Sequence, residues 1–413
     1  MTIASPPDKL AEAAKQSKLQ KNVFFLAAAK MIKIGHAPDG LLRFKSIANH
    51  YDDLGDVYAP DITGSAEREV EKLRGKLAAA QRRARDAEDR LEGENNLASV
   101  INEITSAEAT PPNWLMDWIP GSESDSVPLI VLTDWHLGEV VNPKTSYGYE
   151  YNVAIAEDRA RRTVERTIKL TKETMKGLKF PGIVCAIGGD LISGAIHDEL
   201  AETDELGIIQ SVIKAKSLAA EIIKQFADEF GKVFVPCAVG NHGRIFDNRA
   251  RGKEYTTRNA DWLIYMMLVD HFKDDARVVI MAPESGETLF SIYNTNFLLT
   301  HGDQIGAKGG DGIIGSIGPI MRGSQKVFKS MASLGITIDH IIMGHYHQSI
   351  SLPDVTVCGA LKGPDEYAMK MLRTRADDPS QMLMLVHPEY GITSRMPIFL
   401  RDEWCPDRLR HPD

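Results

Sequence analysis

The stretch whose reading decides the fold is Pro128-Leu-Ile-Val-Leu-Thr-Asp-Trp-His136. Residues 128–133 form a short apolar run with no alternation of polar and apolar positions. A run of that length, closed by a polar triplet, predicts a strand buried on both faces. The triplet itself, Asp134-Trp135-His136, carries two side chains able to bind a divalent ion.

The same arrangement recurs downstream. Residues 183–187, 233–239, 278–281, 297–300 and 341–343 read as further buried strands. Residues 151–175, 204–230 and 256–272 read as helices between them, and this alternation predicts an α/β layered domain. Four of these runs also end in polar residues beside glycine. They are Gly188-Gly189-Asp190, Gly240-Asn241-His242, His301-Gly302-Asp303 and Gly344-His345-Tyr346-His347. In an open α/β sheet the carboxyl ends of strands converge on one crevice. Five separated segments are thereby expected to meet, and they contain five of the chain's 12 histidines. Asp, Asn and His donors suit manganese, iron or zinc, and the absence of thiolates argues against a structural zinc site.

Taken in order, these motifs resemble those of the calcineurin-like metallophosphoesterase superfamily over residues 128–350, with the likeness extending toward Leu400. The resemblance implies two β-sheets flanked by helices, the αββα sandwich, around a dinuclear centre. It implies that Asp134, His136 and His347 hold one ion, that Asn241, His301 and His345 hold the other, and that Asp190 bridges them. Manganese is the ion expected first, with iron, zinc, nickel or magnesium as alternatives. The reaction implied is attack of a metal-activated hydroxide on phosphorus. The resemblance also makes His242 the proton donor to the leaving oxygen or a stabiliser of the transition state, with a histidine that orients the bridging solvent as the alternative. Gly243 departs from the family pattern, which has Asp or Glu after this histidine to orient the ring. What orients His242 is therefore open, with Asp247 a candidate.

Residues around these motifs are candidates for reading the substrate. Arg244, with Arg249, Arg251 and Lys253, makes a basic stretch suited to a phosphate backbone. His197 follows the bridging aspartate, and Lys308 lies in a glycine-rich stretch, 306–318, whose amides suit an anion. Trp135, Tyr346 and Tyr367 are candidates for stacking on bases, although such aromatics more often pack at a domain edge.

The N-terminal third is of another character. Residues 1–62 read as a small helical module, and residues 1–50 carry eight basic against three acidic side chains. Residues 63–106 read as a coiled-coil arm, because Val70, Leu73, Leu77, Ala80, Ala84, Ala87 and Leu91 alternate by three and four. At 1.5 Å per residue, 40 helical residues make an arm of about 60 Å, and its expected partner is a second copy of the chain. A linker is expected over 107–127, the catalytic domain over 128–402 and a tail over 403–413.

Composition bounds the remaining classes. The chain has 413 residues, 48 basic and 57 acidic, for a net charge of −9. That balance excludes a uniformly basic nucleic-acid coat but permits a local patch. No run of 18 apolar residues predicts a membrane span. Four widely spaced cysteines, Cys185, Cys237, Cys358 and Cys405, predict no disulfide framework and a cytoplasmic setting (the host cytoplasm, for a phage-encoded chain). The layout as a whole resembles phage-encoded members of the superfamily that are likened to DNA-repair exonucleases, with residues 359–367 and 387–393 adding to the likeness. The leading expectation is a nuclease acting on DNA. A phosphatase, a cyclic-nucleotide or small-molecule phosphodiesterase, and a DNA-binding scaffold are the alternatives.

Overall fold

The computed structural model describes residues 110–117, 126–194, 198–245, 255–305, 317–371 and 376–401, with residue 196 and five positions between 71 and 81. Those five positions are helical and exposed. The N-terminal module, the seam of the arm, the 403–413 tail and the candidates His197, Asp247, Arg249, Arg251, Lys253 and Lys308 lie outside the described residues. The chain divides into two units, Met1–Asn95 and Asn96–Asp413, and every element below belongs to the second.

That unit is mixed α/β with two mixed sheets. The first is six-stranded. Its strands are β1 (Val127–Leu132), β2 (Ile183–Ile187), β3 (Val233–Pro236), β4 (Val278–Met281), β10 (Ser380–His387) and β11 (Gly391–Phe399). Their order is β11-β10-β1-β2-β3-β4. The neighbours β1 to β4 are parallel, and β10 lies antiparallel on β1. The second sheet is five-stranded, from β5 (Thr288–Ile292), β6 (Thr295–Leu299), β7 (His340–Met343), β8 (Ile350–Ser351) and β9 (Val355–Val357), in the order β5-β6-β7-β9-β8. All six residues of β1 are buried, as its unbroken apolar run predicts.

Among the described residues, five helices connect these strands: α1 (Val153–Ile168), α2 (Asp198–Thr203), α3 (Ile208–Phe230), α4 (Ala260–Phe272) and α5 (Ile317–Ser333). The first is started by Asn152, whose side chain accepts from the Ile155 N–H at 2.9 Å. Three apolar clusters order the layers. One joins α1, α3 and α4 to one face of the first sheet. A second joins side chains of both sheets, among them Leu129, Val184, Phe234, Phe290, Phe297 and Ile342. The third joins the second sheet to α5.

The expected strands form, some with shifted ends: the run at 233–239 is regular strand only to Pro236, with a bridge from Cys237 to Ile187 beyond it, and the helix expected from 256 begins at Ala260. Within the stretch expected to be a linker, Asn113–Leu115 forms a 3-10 turn. Leu115 is buried there, and its carbonyl accepts from the Tyr293 N–H at 2.8 Å. No helix among the described residues is long and apolar enough to cross a membrane.

Candidate metal centre

The ends of β1, β2 and β3 and those of β6 and β7 place the motif residues together. Beyond their strands, the β1 and β2 loops keep bonding: Asp134 N donates to Gly189 O, His136 N to Asp190 O and Leu137 N to Leu191 O, each at 3.0 Å. Seven described residues other than glycine have positive φ, and five are motif residues: Asp134, His136, Asp190, His345 and His347. Such backbone costs about 1–3 kcal/mol per residue and persists where the surroundings impose it. Here it turns each side chain out of the strand direction into one crevice. Gly344 leaves room for this, since a β-carbon there would fall on the Asp134 carboxylate.

Three overlapping groups of potential ligand atoms result: Asp134, His136 and His347; His136, Asp190 and His242; Asp190, His301 and His345. Asp134 Oδ1 lies 3.2 Å from His347 Nε2 and 3.7 Å from His136 Nε2, and the two Nε2 atoms are 3.1 Å apart. Donors that each sit about 2.1 Å from one ion are separated from each other by about 3–3.5 Å, so this triangle has the size a metal requires. Asp190 Oδ2 lies 2.9 Å from His301 Nε2 and 4.0 Å from His136 Nε2, facing both flanking groups.

The donor atoms are also left without hydrogen bonds. Asp190 Oδ2, Asn241 Oδ1 and His301 Nε2 are buried polar atoms with no hydrogen-bond partner. Asp190 Oδ2 and His301 Nε2 nonetheless approach to 2.9 Å, a contact that the protonated ring makes and that an ion would replace. Leaving such atoms unpaired costs about 1–3 kcal/mol each unless an ion satisfies them. His301 Nδ1 meets the Gly188 carbonyl at 2.8 Å. A carbonyl only accepts, so Nδ1 carries the proton and Nε2 is the lone-pair donor turned to the site, as an outer partner of a metal-binding histidine would fix it. The residues thus fit a divalent metal ion.

Charge follows from burial. Burial, aided by Lys362 and His242, holds the His136 imidazole well below its ordinary value. Burial and His301 push His345 down to about 3. Both rings are neutral near pH 7, as metal binding requires. Burial opposes protonation of His301, but Asp190 outweighs it and raises that ring well above its ordinary value. Burial alone would raise Asp190, yet His301 and His242 hold it below the usual carboxylate range.

His242 belongs to the second of these groups as well as to the expected catalytic set. Its orienting partner is the Ser193 carbonyl, 2.6 Å from Nδ1, in place of an acid in the next position. Gly243 has no room for one, because a β-carbon there would strike Asn259 Oδ1, which accepts from the Asp261 N–H and starts α4. A carboxylate instead arrives from that helix. Asp261, fully buried, accepts from Asp190 N at 2.8 Å, Gly240 N at 2.9 Å and Leu191 N at 3.1 Å. It ties the β2 and β3 loops together, and burial beside Asp190 pushes its carboxyl up to about 6.

The substrate candidates fare differently. Arg244 is half-buried beside Asn241, and its Nε donates to the Asn241 carbonyl at 2.8 Å, so part of its guanidinium braces the ligand loop. Trp135 cannot stack on bases: it is buried in the core. Tyr346 is half-buried and donates to the Ile305 carbonyl, whereas Tyr367 is exposed. Asp261, Ser193 and Glu139 were not among the sequence candidates; of these only Glu139, three residues after His136, carries a local signal.

No family model and no curated protein matches the chain. Among solved structures, it is similar to a conserved uncharacterised protein, described as a predicted phosphoesterase, from Streptococcus pneumoniae TIGR4. That match has 9% identity and a TM-score of 0.25, and covers 66% of this chain and 98% of the other. A second is the phosphopantetheinyl hydrolase of Mycobacterium tuberculosis, with 12% identity, a TM-score of 0.25 and coverage of 60% and 94%.

Proposed function

We propose that the chain is a two-metal phosphoester hydrolase whose substrate is DNA. The observation that carries the hydrolase is the convergence of Asp134, His136, Asp190, His242, His301, His345 and His347 from five loops at metal-ligand spacing, with Asp190 Oδ2, Asn241 Oδ1 and His301 Nε2 buried and unpaired. On this reading Asp134, His136 and His347 hold one ion, Asn241, His301 and His345 the other, and Asp190 lies between them within an αββα sandwich. Two divalent ions so held supply Lewis-acid stabilisation of a phosphoryl group and an activated water.

The chain's own residues do the rest. Asp134 and Asp190 offset the positive charge, and His136 and His345 enter as neutral donors. The Ser193 carbonyl keeps the His242 proton on Nδ1, which leaves Nε2 as the ring atom that gives a proton to, or shares one with, the leaving oxygen. Asp261 holds the Asp190 and Gly240 backbones in register, so that Asp190 and the Asn241-His242 pair keep their spacing.

DNA as the substrate rests on sequence: the basic excess over residues 1–50 and the cluster Arg244, Arg249, Arg251 and Lys253. The test is a panel of single- and double-stranded DNA, bis-p-nitrophenyl phosphate and p-nitrophenyl phosphate, with the manganese-loaded full chain. DNA cleavage that Asp190→Ala abolishes is the expected result. Turnover of the small diester with no DNA cut would replace DNA by a small phosphodiester, and no turnover of any of the four would remove the hydrolase.

A further inference from the structure

Behind the Asp134–His136–His347 group lies a second, wholly buried set of charges. Lys362 Nζ donates to Glu139 Oε1 at 2.7 Å and Oε2 at 2.8 Å, and also to Asp365 Oδ2. All three residues are less than 10% exposed. One cation against two carboxylates leaves a net charge of −1 in the interior. Burying an ionic triad costs more than a well-packed apolar substitute would, so it adds nothing obvious to stability.

What the triad faces supplies a reason for it. Glu139 Oε2 stands 3.6 Å from His136 Nδ1, with both side chains buried. That nitrogen has no hydrogen-bond partner, while His136 Nε2 is turned toward Asp134, His347 and Asp190. The distance is too long for a hydrogen bond but fixes what the ring sees on each side. Glu139 is the carboxylate on the Nδ1 side, so with an ion on the Nε2 side the proton belongs on Nδ1 and Nε2 is the lone-pair donor. The triad is itself held from behind. Arg159 of α1 donates through Nη1 to the carbonyls of Leu361 at 3.1 Å and Lys362 at 2.8 Å. The Leu361 N–H donates to the Asp134 carbonyl at 3.1 Å, so the segment that carries Lys362 is joined to the ligand loop.

We propose that Glu139, clamped by Lys362, is a positioning residue that holds the His136 ring with Nδ1 on its own side and Nε2 turned to one of the two ions. The proposal rests on the two-ion reading above but not on any substrate. Losing an outer-shell carboxylate of this kind weakens metal binding about 10–100-fold. The effect is expected at one ion only, because the ring that Glu139 faces, His136, belongs to the Asp134–His136–His347 group.

The experiment is manganese binding to the full chain by equilibrium dialysis, for wild type, Glu139→Gln and Glu139→Leu. The glutamine keeps an acceptor oxygen and loses the charge; the leucine loses both and leaves Lys362 paired with Asp365. Wild type is expected to bind two ions. The leucine variant is expected to keep one ion at wild-type affinity and bind the other about 10–100-fold more weakly, with the glutamine variant between them. Equal weakening of both ions would mean a structural role and would overturn the proposal, as would unchanged binding in both variants. Should the leucine variant fail to fold by circular dichroism, the glutamine variant decides alone: a loss at one ion supports the assignment, and no loss overturns it. A wild-type chain that binds no ion at all would instead defeat the two-ion reading itself.

Discussion

The two sheets equip the centre in different ways. The loops of the first sheet bring both acids, Asp134 and Asp190, together with His136, Asn241 and His242. Those of the second bring only imidazoles: His301, His345 and His347. The first-sheet residues are also braced by side chains from elsewhere. Asp261 holds Asp190, Lys362 holds Glu139 against His136, and Gln381 closes on Thr133 from β10, its Oε1 accepting from the Thr133 N–H at 2.8 Å. The second-sheet residues lean on the first sheet instead. His301 Nδ1 donates to Gly188 O, and His345 N donates to Asp134 Oδ2 at 3.1 Å. One half of the centre thus carries the charge compensation and the rigid reference, and the other is placed against it.

That asymmetry can be broken most sharply at its two ends. Asp190→Ala removes the one carboxylate that faces both flanking groups, so both ions are expected to be lost. Activity should fall about 10³-fold or more and should not return with added manganese. His347→Ala removes one partly exposed imidazole from one group. It is expected to cost about 10–100-fold, with recovery at high manganese. If His347→Ala proves as severe and as irreversible as Asp190→Ala, the division of labour between the sheets is wrong.

The bracing of the first-sheet loops is testable at Asp261 and Gly243. Asp261→Asn presents an amide N–H to one of the three backbone donors it now accepts from. Chemical denaturation should show a loss of about 1–3 kcal/mol. Gly243→Asp restores the residue that the family resemblance expects after His242. It is nonetheless expected to lower activity, because its side chain displaces the Asn259 cap of α4 and, through it, Asp261. Enhanced activity in Gly243→Asp would mean that the Ser193 carbonyl is not a sufficient partner for His242.

The difference between the halves also explains what the sequence revealed. Ligands were legible because each motif follows an apolar run, and four of the five contain glycine, a local pattern. Their braces are not local. Asp261 is 71 residues from the Asp190 amide that it holds, and Lys362 is 223 residues from Glu139. Nothing in the neighbourhood of either marks it as buried. The same holds for fold elements. Gly318, Pro319 and Gly323 argue for loop, yet α5 forms over them because its Ile320 side packs on the second sheet. Residues 382–386, Met-Leu-Met-Leu-Val, are an apolar run like the others but end in no ligand motif. They take the place beside β1 in antiparallel register, which only pairing decides.

The smallest expected effect separates the halves by proton competition. A histidine binds a metal only when neutral, so protons compete with the ion wherever the ring's pKa lies near or above the working pH. On the first sheet, His136 lies well below its ordinary value and offers no competition near neutrality. On the second, His345 is pushed down to about 3 and is equally silent, whereas Asp190 raises His301 well above its ordinary value. The sign is fixed: a raised pKa keeps His301 protonated over a wider range, so binding must expel that proton. Manganese affinity at the Asn241–His301–His345 site should therefore climb about tenfold per pH unit through the neutral range. The Asp134–His136–His347 site should be less steep as far as His136 is concerned. Titration calorimetry in two buffers of different ionisation enthalpy reads the protons released. About one proton from the second-sheet site is expected, and a release of none would show that Asp190 does not hold a proton on His301 before the ion arrives.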